Sequence, residues 1–165
     1  MADFSIYFPL VCELEGTDYE NPSDDQCNKF GLEVQDVIDF TGNTATCADV
    51  QAITSDLAST MIKQLYWDKV NADNIDSQFI GMFLADMAFN QGVETASIAI
   101  QAIVGVTTDG IIGNDTLEAI NNFDEQTLFY FLWSYRLCLY IKTGKPEFEA
   151  GWRNRINNPQ FNPNT

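Results

Sequence analysis

The stretch "DSQFIGMFLADMAFNQG", Asp76 to Gly92, decides the fold class. Phe79, Ile80, Phe83, Leu84, Met87 and Ala88 recur at the interval that lines one face of an α-helix, and no strand alternation fits them. Gly92 then serves as the stop, since glycine takes the left-handed conformation that ends a helix.

The same period extends outward in both directions. Phe4, Tyr7, Phe8 and Val11 mark a first helix ending near Gly16, and Leu32 to Phe40 marks a short one closed by Gly42. "TGNTAT" reads as a turn-rich connector, and Thr54 as the N-cap of a helix through Leu57, Met61, Ile62, Leu65 and Tyr66. Ile98, Ile100, Ala102 and Ile103 form a further helix. In "TTDGIIGNDTLEAI", Asp109, Gly110 and Gly113 build a turn before a short helix that Thr116 or Asp115 supports as cap. "TLFYFLWSYRLCLYI" is interrupted by Arg136 and too short for a membrane span of about 20 residues, so it reads as the central buried helix. "FEAGWRNRI" is the last helix, after Pro146. The expected architecture is all-α: seven or eight helices in one domain over residues 1–165, with a motif-bearing half (1–75), a helical half (76–165), and a long polar loop or small hairpin near the start.

Composition excludes several function classes. The chain has 165 residues, 45% of them hydrophobic, and carries a formal charge of −16, so nucleic-acid phosphates and anionic membranes are repelled. Arg136, Lys142, Lys145, Arg153 and Arg155 concentrate the positive charge near the C-terminus, where Trp152, Arg153 and Arg155 are expected to meet acidic helices of the N-terminal half in exposed pairs of small worth. Cys12, Cys27, Cys47 and Cys138 show no C-x-x-C spacing and there is no histidine, so a Cys/His zinc site is excluded and free, partly buried thiols are expected. No metal or other cofactor is expected. "MADFSIYFPLVCELEG" lacks a basic n-region and does not read as a signal peptide.

The chemistry is expected in "LEGTDYENPSDDQCNKFGL", Leu14 to Leu32, where five carboxylates precede the first basic residue, Lys29. A glutamate ending a helix at the lip of a polar loop lies half against the core, and burial of that kind suits a carboxyl to donate a proton. Asp24 lies nine positions after Glu15. Two carboxylates in unlike environments are what glycoside hydrolysis uses, one as acid, the other to position water or stabilise a cationic transition state.

These residues also carry a resemblance. "LEGTDYENPSDDQCNKFG" resembles a degenerate form of the opening motif of glycoside hydrolase family 108, the lysozyme-like N-acetylmuramidases, roughly E-G-G-[YF]-x-x-D-P-x-D-x-G-G-x-T-x-x-G. Glu15, Gly16, Pro22 and Asp24 match in identity and spacing, and Gly31 matches after one deletion. "LYWDKVNADNIDSQFIGMFLADMAFNQG" is similar to the family's Tyr-Trp-Asp segment and the helix ending in Asn-x-Gly. "VGVTTDGIIGNDTLEAIN" resembles its D-G-x-x-G-x-x-T element, a peptidoglycan-binding-like region, and "GWRNRIN" its closing motif.

The resemblance implies a lysozyme-like fold cleaving the β-1,4 bond after N-acetylmuramic acid in the peptidoglycan glycan strand, with Glu15 as general acid, Asp24 as helper, and Tyr66, Trp67, Asn90 and Gln91 lining the substrate groove. It also implies delivery from the cytoplasm to the wall, in the periplasm or outside, by a holin, virion or secretion system. The departures fall on the loop. Thr17 replaces the second glycine, Gln26-Cys27 replaces Gly-Gly, and Lys29 or Phe30 stands where the family has the threonine that holds the attacking water. Those losses motivate a second reading, a non-catalytic subunit of a phage tail or injection machine that docks on walls or on virion or secretion-machine proteins.

Overall fold

The computed structural model describes residues 1–22, 26–142 and 149–163. It is mainly α, with nine α-helices and one two-stranded sheet among the described residues. The chain divides into two compact units, Phe4–Asp68 and Lys69–Thr165 with Met1–Asp3.

In the N-terminal unit, α1 (Phe4–Glu15) buries Tyr7, Leu10 and Val11. Two short strands follow, β1 (Asn28–Lys29) and β2 (Leu32–Glu33), paired antiparallel in the register Asn28↔Glu33 and Lys29↔Leu32. Phe30 and Gly31 between them have φ of 57° and 72°, the pair of positive values that a two-residue hairpin of the right twist requires. Phe30 takes up a conformation unusual for a side-chain-bearing residue because its ring is buried there. The hairpin therefore lies at Asn28 to Glu33, slightly beyond the polar loop in which the sequence suggested one.

Helix α2 (Val34–Thr41) starts two residues later than the apolar pattern suggests, because Leu32 and Glu33 are taken by the strand. Glu33 and Asp36 cap it reciprocally, and Gly42 ends it with φ 71°. Helix α3 (Cys47–Gln51) was not legible as a helix; Thr46 and Asp49 form its capping box. The Thr54 hydroxyl accepts from the Leu57 N–H at 3.3 Å and caps α4 (Ser55–Ile62), as its position in the sequence suggests. Beyond Ile62 the helix continues as one π-turn, Lys63–Trp67, in which the Asp68 N–H donates to the Lys63 carbonyl at 2.8 Å. Lys63 and Asp68, five apart, are thereby brought to a 2.5 Å ion pair.

The C-terminal unit is organised by α5 (Gln78–Gln91), in which every residue from Ile80 to Ala88 is buried. The Ser77 hydroxyl caps its start at 3.1 Å and Gly92 ends it. Gly81 admits no side chain, since a Cβ there would lie 2.5 Å from that of Ala2. Against α5 pack α6 (Val93–Val104) and α8 (Glu125–Lys142). α7 (Asn114–Asn121) packs on α6, and α9 (Glu149–Ile156) on α8. Phe83 meets Phe129 and Phe161 edge-on at 5.3 and 5.6 Å.

Three expectations are corrected here. The central buried helix is α5 and not α8: α8 exposes Tyr130, Phe131, Cys138 and Ile141 and buries one side, because apolar composition alone does not force burial. The one charged residue expected to interrupt α8, Arg136, is fully buried and faces Asp86. The turn at 109–113 does not use Thr116 or Asp115 as cap. Gly113 is the N-cap with no side-chain bond, while buried Gln101 donates to Asp109, the Ile111 carbonyl and Thr116 and accepts the Gly110 N–H. No helix among the described residues is long and apolar enough to cross a membrane.

Candidate functional site

Glu15 takes its setting from the periodicity of α1. Val11 and Glu15 are one turn apart and so share a helix face. Val11 is fully buried, and Glu15, one turn on, is half-buried where that face runs out of core. The helix ends there because Gly16 adopts φ +79° and its N–H closes onto the Cys12 carbonyl at 3.0 Å, a conformation glycine takes at no steric cost.

From Gly16 the chain runs to Glu20, which exchanges two backbone hydrogen bonds with Asn28, both 2.9 Å, in an isolated antiparallel bridge. Asn28 is thus bonded on one side to Glu20 and on the other to Glu33. Asp24, the expected helper carboxylate, lies outside the described residues.

The positions that depart from the resembled motif have other partners. Cys27 is buried and forms a disulfide with Cys47, the first residue of α3, so the expectation of free thiols is wrong for this pair; Cys12 and Cys138 are free. Twenty residues separate the two in sequence, and packing of α3 on β1 brings them together. Lys29 donates through Nζ to the Gln51 carbonyl at 3.0 Å, holding the last residue of α3. α3 is thus tied to the strand region at both ends. Lys29 and the buried Phe30 supply no hydroxyl where the resembled motif has threonine.

Tyr66 and Trp67, on the π-turn, behave differently from each other. Trp67 has no exposed surface: its ring stacks on Tyr7 at 5.5 Å and meets Phe4 edge-on at 5.5 Å. The expectation that it lines a sugar groove is therefore corrected, because a ring enclosed by aromatics has no face left for a sugar; it anchors the π-turn to α1. Tyr66 is half-buried and donates its hydroxyl to Asp36. Burial, and then the Asp36 charge, raises the Tyr66 pKa far above the usual tyrosine range. Burial also raises the Asp36 carboxyl, against hydrogen bonds from the Glu33 N–H and Tyr66 that pull it down. Asp36 was not singled out in the sequence. Its only signal was the Glu33/Asp36 capping spacing.

Asn90 and Gln91 lie in the C-terminal unit, at the end of α5. Asn90 is exposed and turns its amide back onto the Asp86 carbonyl at 2.9 Å. Gln91 is half-buried, with both amide atoms enclosed and, among the described residues, without a hydrogen-bond partner.

The same unit holds a buried charge cluster. Asp86 and Arg136 are fully enclosed; Arg136 approaches the Asp86 carboxylate at 2.7 Å and Arg155 at 2.6 Å, with a second Arg155 bond at 2.9 Å. Burial alone would raise the Asp86 pKa; the two guanidinium groups outweigh it and hold the carboxyl below its ordinary value. Arg155 thus meets α5 of its own unit in a buried pair, where the sequence suggested exposed pairing with acidic helices of the N-terminal half. Trp152 stacks on Tyr140 at 4.8 Å. Among the described residues, no three His, Cys, Asp or Glu side chains gather as metal ligands.

A family model described as Glycosyl hydrolase 108 matches residues 8–92, a span that contains Glu15, Asp24, Tyr66, Trp67, Asn90 and Gln91. Among solved structures, that of Brucella abortus SagA is similar to this chain at 26% identity and a TM-score of 0.85, covering 95% of this chain and 91% of its own. No curated protein sequence matches the chain.

Proposed function

The chain belongs to the glycosyl hydrolase 108 family, and from that premise we propose that it is a lysozyme-like N-acetylmuramidase that cleaves the β-1,4 glycosidic bond of peptidoglycan. Glu15 is the general acid and Asp24 its helper. The observation that carries this reading is the setting of Glu15, inside the matched span and half-buried at the end of α1, with Gly16 turning the chain away behind it. In this chemistry a general acid protonates the leaving oxygen, while a second carboxylate supports the developing positive charge on the sugar.

Tyr66, Asn90 and Gln91 remain the proposed substrate contacts, and the partner is the glycan strand itself. The Cys27–Cys47 disulfide fits a site of action in the periplasm or outside the cell, where disulfides persist.

One observation favours a second reading, the non-catalytic wall-docking or virion subunit. The residues at the family's Gly-Gly-x-Thr positions are bonded into the scaffold: Cys27 to Cys47, and Lys29 to Gln51. The experiment that separates the two is release of sugar reducing ends from purified peptidoglycan by wild type and Glu15→Gln, with matched helical circular dichroism. Release by wild type alone supports the muramidase. Equal release by both removes Glu15 from the mechanism, and none by either, across pH and wall types, favours the docking subunit.

A further inference from the structure

We propose that a small apolar pocket in the C-terminal unit, rimmed by Asp76 and Glu125, is a docking site for a lysine side chain of a basic partner protein. The inference is independent of whether Glu15 is catalytic, since every residue it uses belongs to the C-terminal unit.

The pocket has a volume of about 270 Å³. Its walls come from places far apart in sequence: Ile75 and Ile80 around the start of α5, Ile120 near the end of α7, and Leu128 in the first turn of α8. All four are buried aliphatic residues. Scaffold bonds hold these walls in place. The Asn121 side chain accepts the Asp76 N–H at 2.9 Å and donates to the Asn74 carbonyl at 3.0 Å, clamping the turn before α5 to the end of α7. The Ser77 hydroxyl accepts the Ile80 N–H at 3.1 Å, and Asp124 accepts the Thr127 N–H at 2.9 Å at the start of α8. Those polar groups are committed to the fold. Asp76 and Glu125 are different: both are exposed on the lining, and among the described residues neither side chain has a hydrogen bond or ion pair.

Size and charge select the occupant. Self-standing small-molecule sites run from about 300 to 1,000 Å³, so a cavity of this size seats one side chain of a larger partner, whose other contacts supply the remaining affinity. Aliphatic walls under a carboxylate rim suit a side chain that lays methylenes along apolar surface and keeps a cation at its tip in water. Lysine does so with a compact ammonium, where the flat fork of arginine calls for a bidentate acceptor. No lysine or arginine occurs between Lys69 and Arg136, the run that supplies the whole pocket, so no basic residue of that run competes for the two carboxylates. The formal charge of −16 steers basic proteins toward the chain and holds anionic surfaces off.

The test is nuclear magnetic resonance of the full chain with labelled isoleucine methyls, titrated with a short capped peptide carrying a central lysine and with the same peptide carrying norleucine or glutamate instead. The lysine peptide should move the Ile75, Ile80 and Ile120 methyl signals saturably. The norleucine peptide should bind about fivefold more weakly, and the glutamate peptide should leave the signals in place. Asp76→Asn/Glu125→Gln should weaken lysine binding by about fivefold, the worth of one well-formed exposed ion pair, and about 0.5 M salt should have the same effect. Both side chains are exposed, so the double variant is expected to fold, with circular dichroism as the check. Carboxylates that only favoured the helix starts beside them would leave the peptide titration blind to their removal, so undiminished affinity in the double variant overturns the proposal. Equal binding of the norleucine peptide overturns it too, as does a lysine peptide that moves none of these methyls. Movement by lysine-containing fragments of purified peptidoglycan, with none by the peptide, would make the wall the occupant and overturn the protein partner.

Discussion

Replacing Asp86 by asparagine removes one negative charge and almost no volume from the centre of the C-terminal unit. The carboxylate accepts from Arg155 at 2.6 and 2.9 Å and from Arg136 at 2.7 Å, and both Asp86 and Arg136 have side-chain exposures of 0%. In the variant Arg136 is left as a buried cation facing a neutral amide. Removing one partner of a buried pair costs about 3–5 kcal/mol, and with two guanidinium groups deprived at once the upper part of that range applies. For a chain of this length the melting temperature moves by about 2–4 °C per kcal/mol, so Asp86→Asn should melt roughly 10–20 °C below wild type at pH 7, followed by circular dichroism. The pH dependence fixes the cause. The folded carboxyl titrates below its ordinary value, so its stabilisation is fully present above the unfolded pKa of about 3.9 and is lost as pH falls toward the folded one. The gap between wild type and variant should therefore be constant from neutral pH down to about 5 and narrow below it. A gap under about 2 °C at pH 7, or one that fails to narrow in acid, refutes the account.

Reduction of Cys27–Cys47, with its sequence separation of 20, should lower unfolding stability by about 3 kcal/mol in urea titrations; an unchanged midpoint would show that the loop is already ordered without the bond. Trp67→Ala empties a site enclosed by Tyr7 and Phe4 and should cost about 3–5 kcal/mol, whereas a loss under about 1 kcal/mol would contradict the stacked packing. Tyr66→Phe removes a hydrogen bond that favours ionised Asp36, so the Asp36 carboxyl should titrate still higher by carbon NMR. Because its folded pKa is raised, stability assignable to that group falls as pH climbs from the unfolded value toward the folded one, and a downward move of its titration would refute the assignment.

What the sequence made legible was local. The spacing from Phe79 to Ala88 and the stop at Gly92 define α5, the Thr54 cap starts α4, and Gly42 ends α2, each with its cause within a turn or two of chain. The π-turn was invisible because Leu65 and Tyr66 fit the α period; the bond from Asp68 back to Lys63, five residues earlier, marks it in the structure. α3 was hidden by its length and by the turn residues before it. The Cys27–Cys47 pairing and the approach of Arg155 to Asp86, 69 residues away, are products of tertiary packing that no spacing encodes. The same holds for the site. Glu15 could be placed at a helix end from its neighbours, but the enclosure of Trp67 and the partnering of Tyr66 with Asp36 required the packed unit.

The buried triad also changes how the charge of the chain is read. Arg136 and Arg155 belong to the C-terminal cluster that made that end look less acidic, yet both are committed to Asp86 inside the protein. The net charge stays at −16, but Arg136, with no exposure, and Arg155, with 11%, are paired with Asp86 and so do not stand as free surface cations. Wall polymers that are themselves anionic would be repelled by such a surface, with a reach of about 10 Å at 0.1 M salt. Under the proposed function, charge attraction to the wall as a whole therefore cannot be the source of affinity. Recognition then falls to short-range hydrogen bonds and contacts with the uncharged sugar backbone, which a basic patch does not supply.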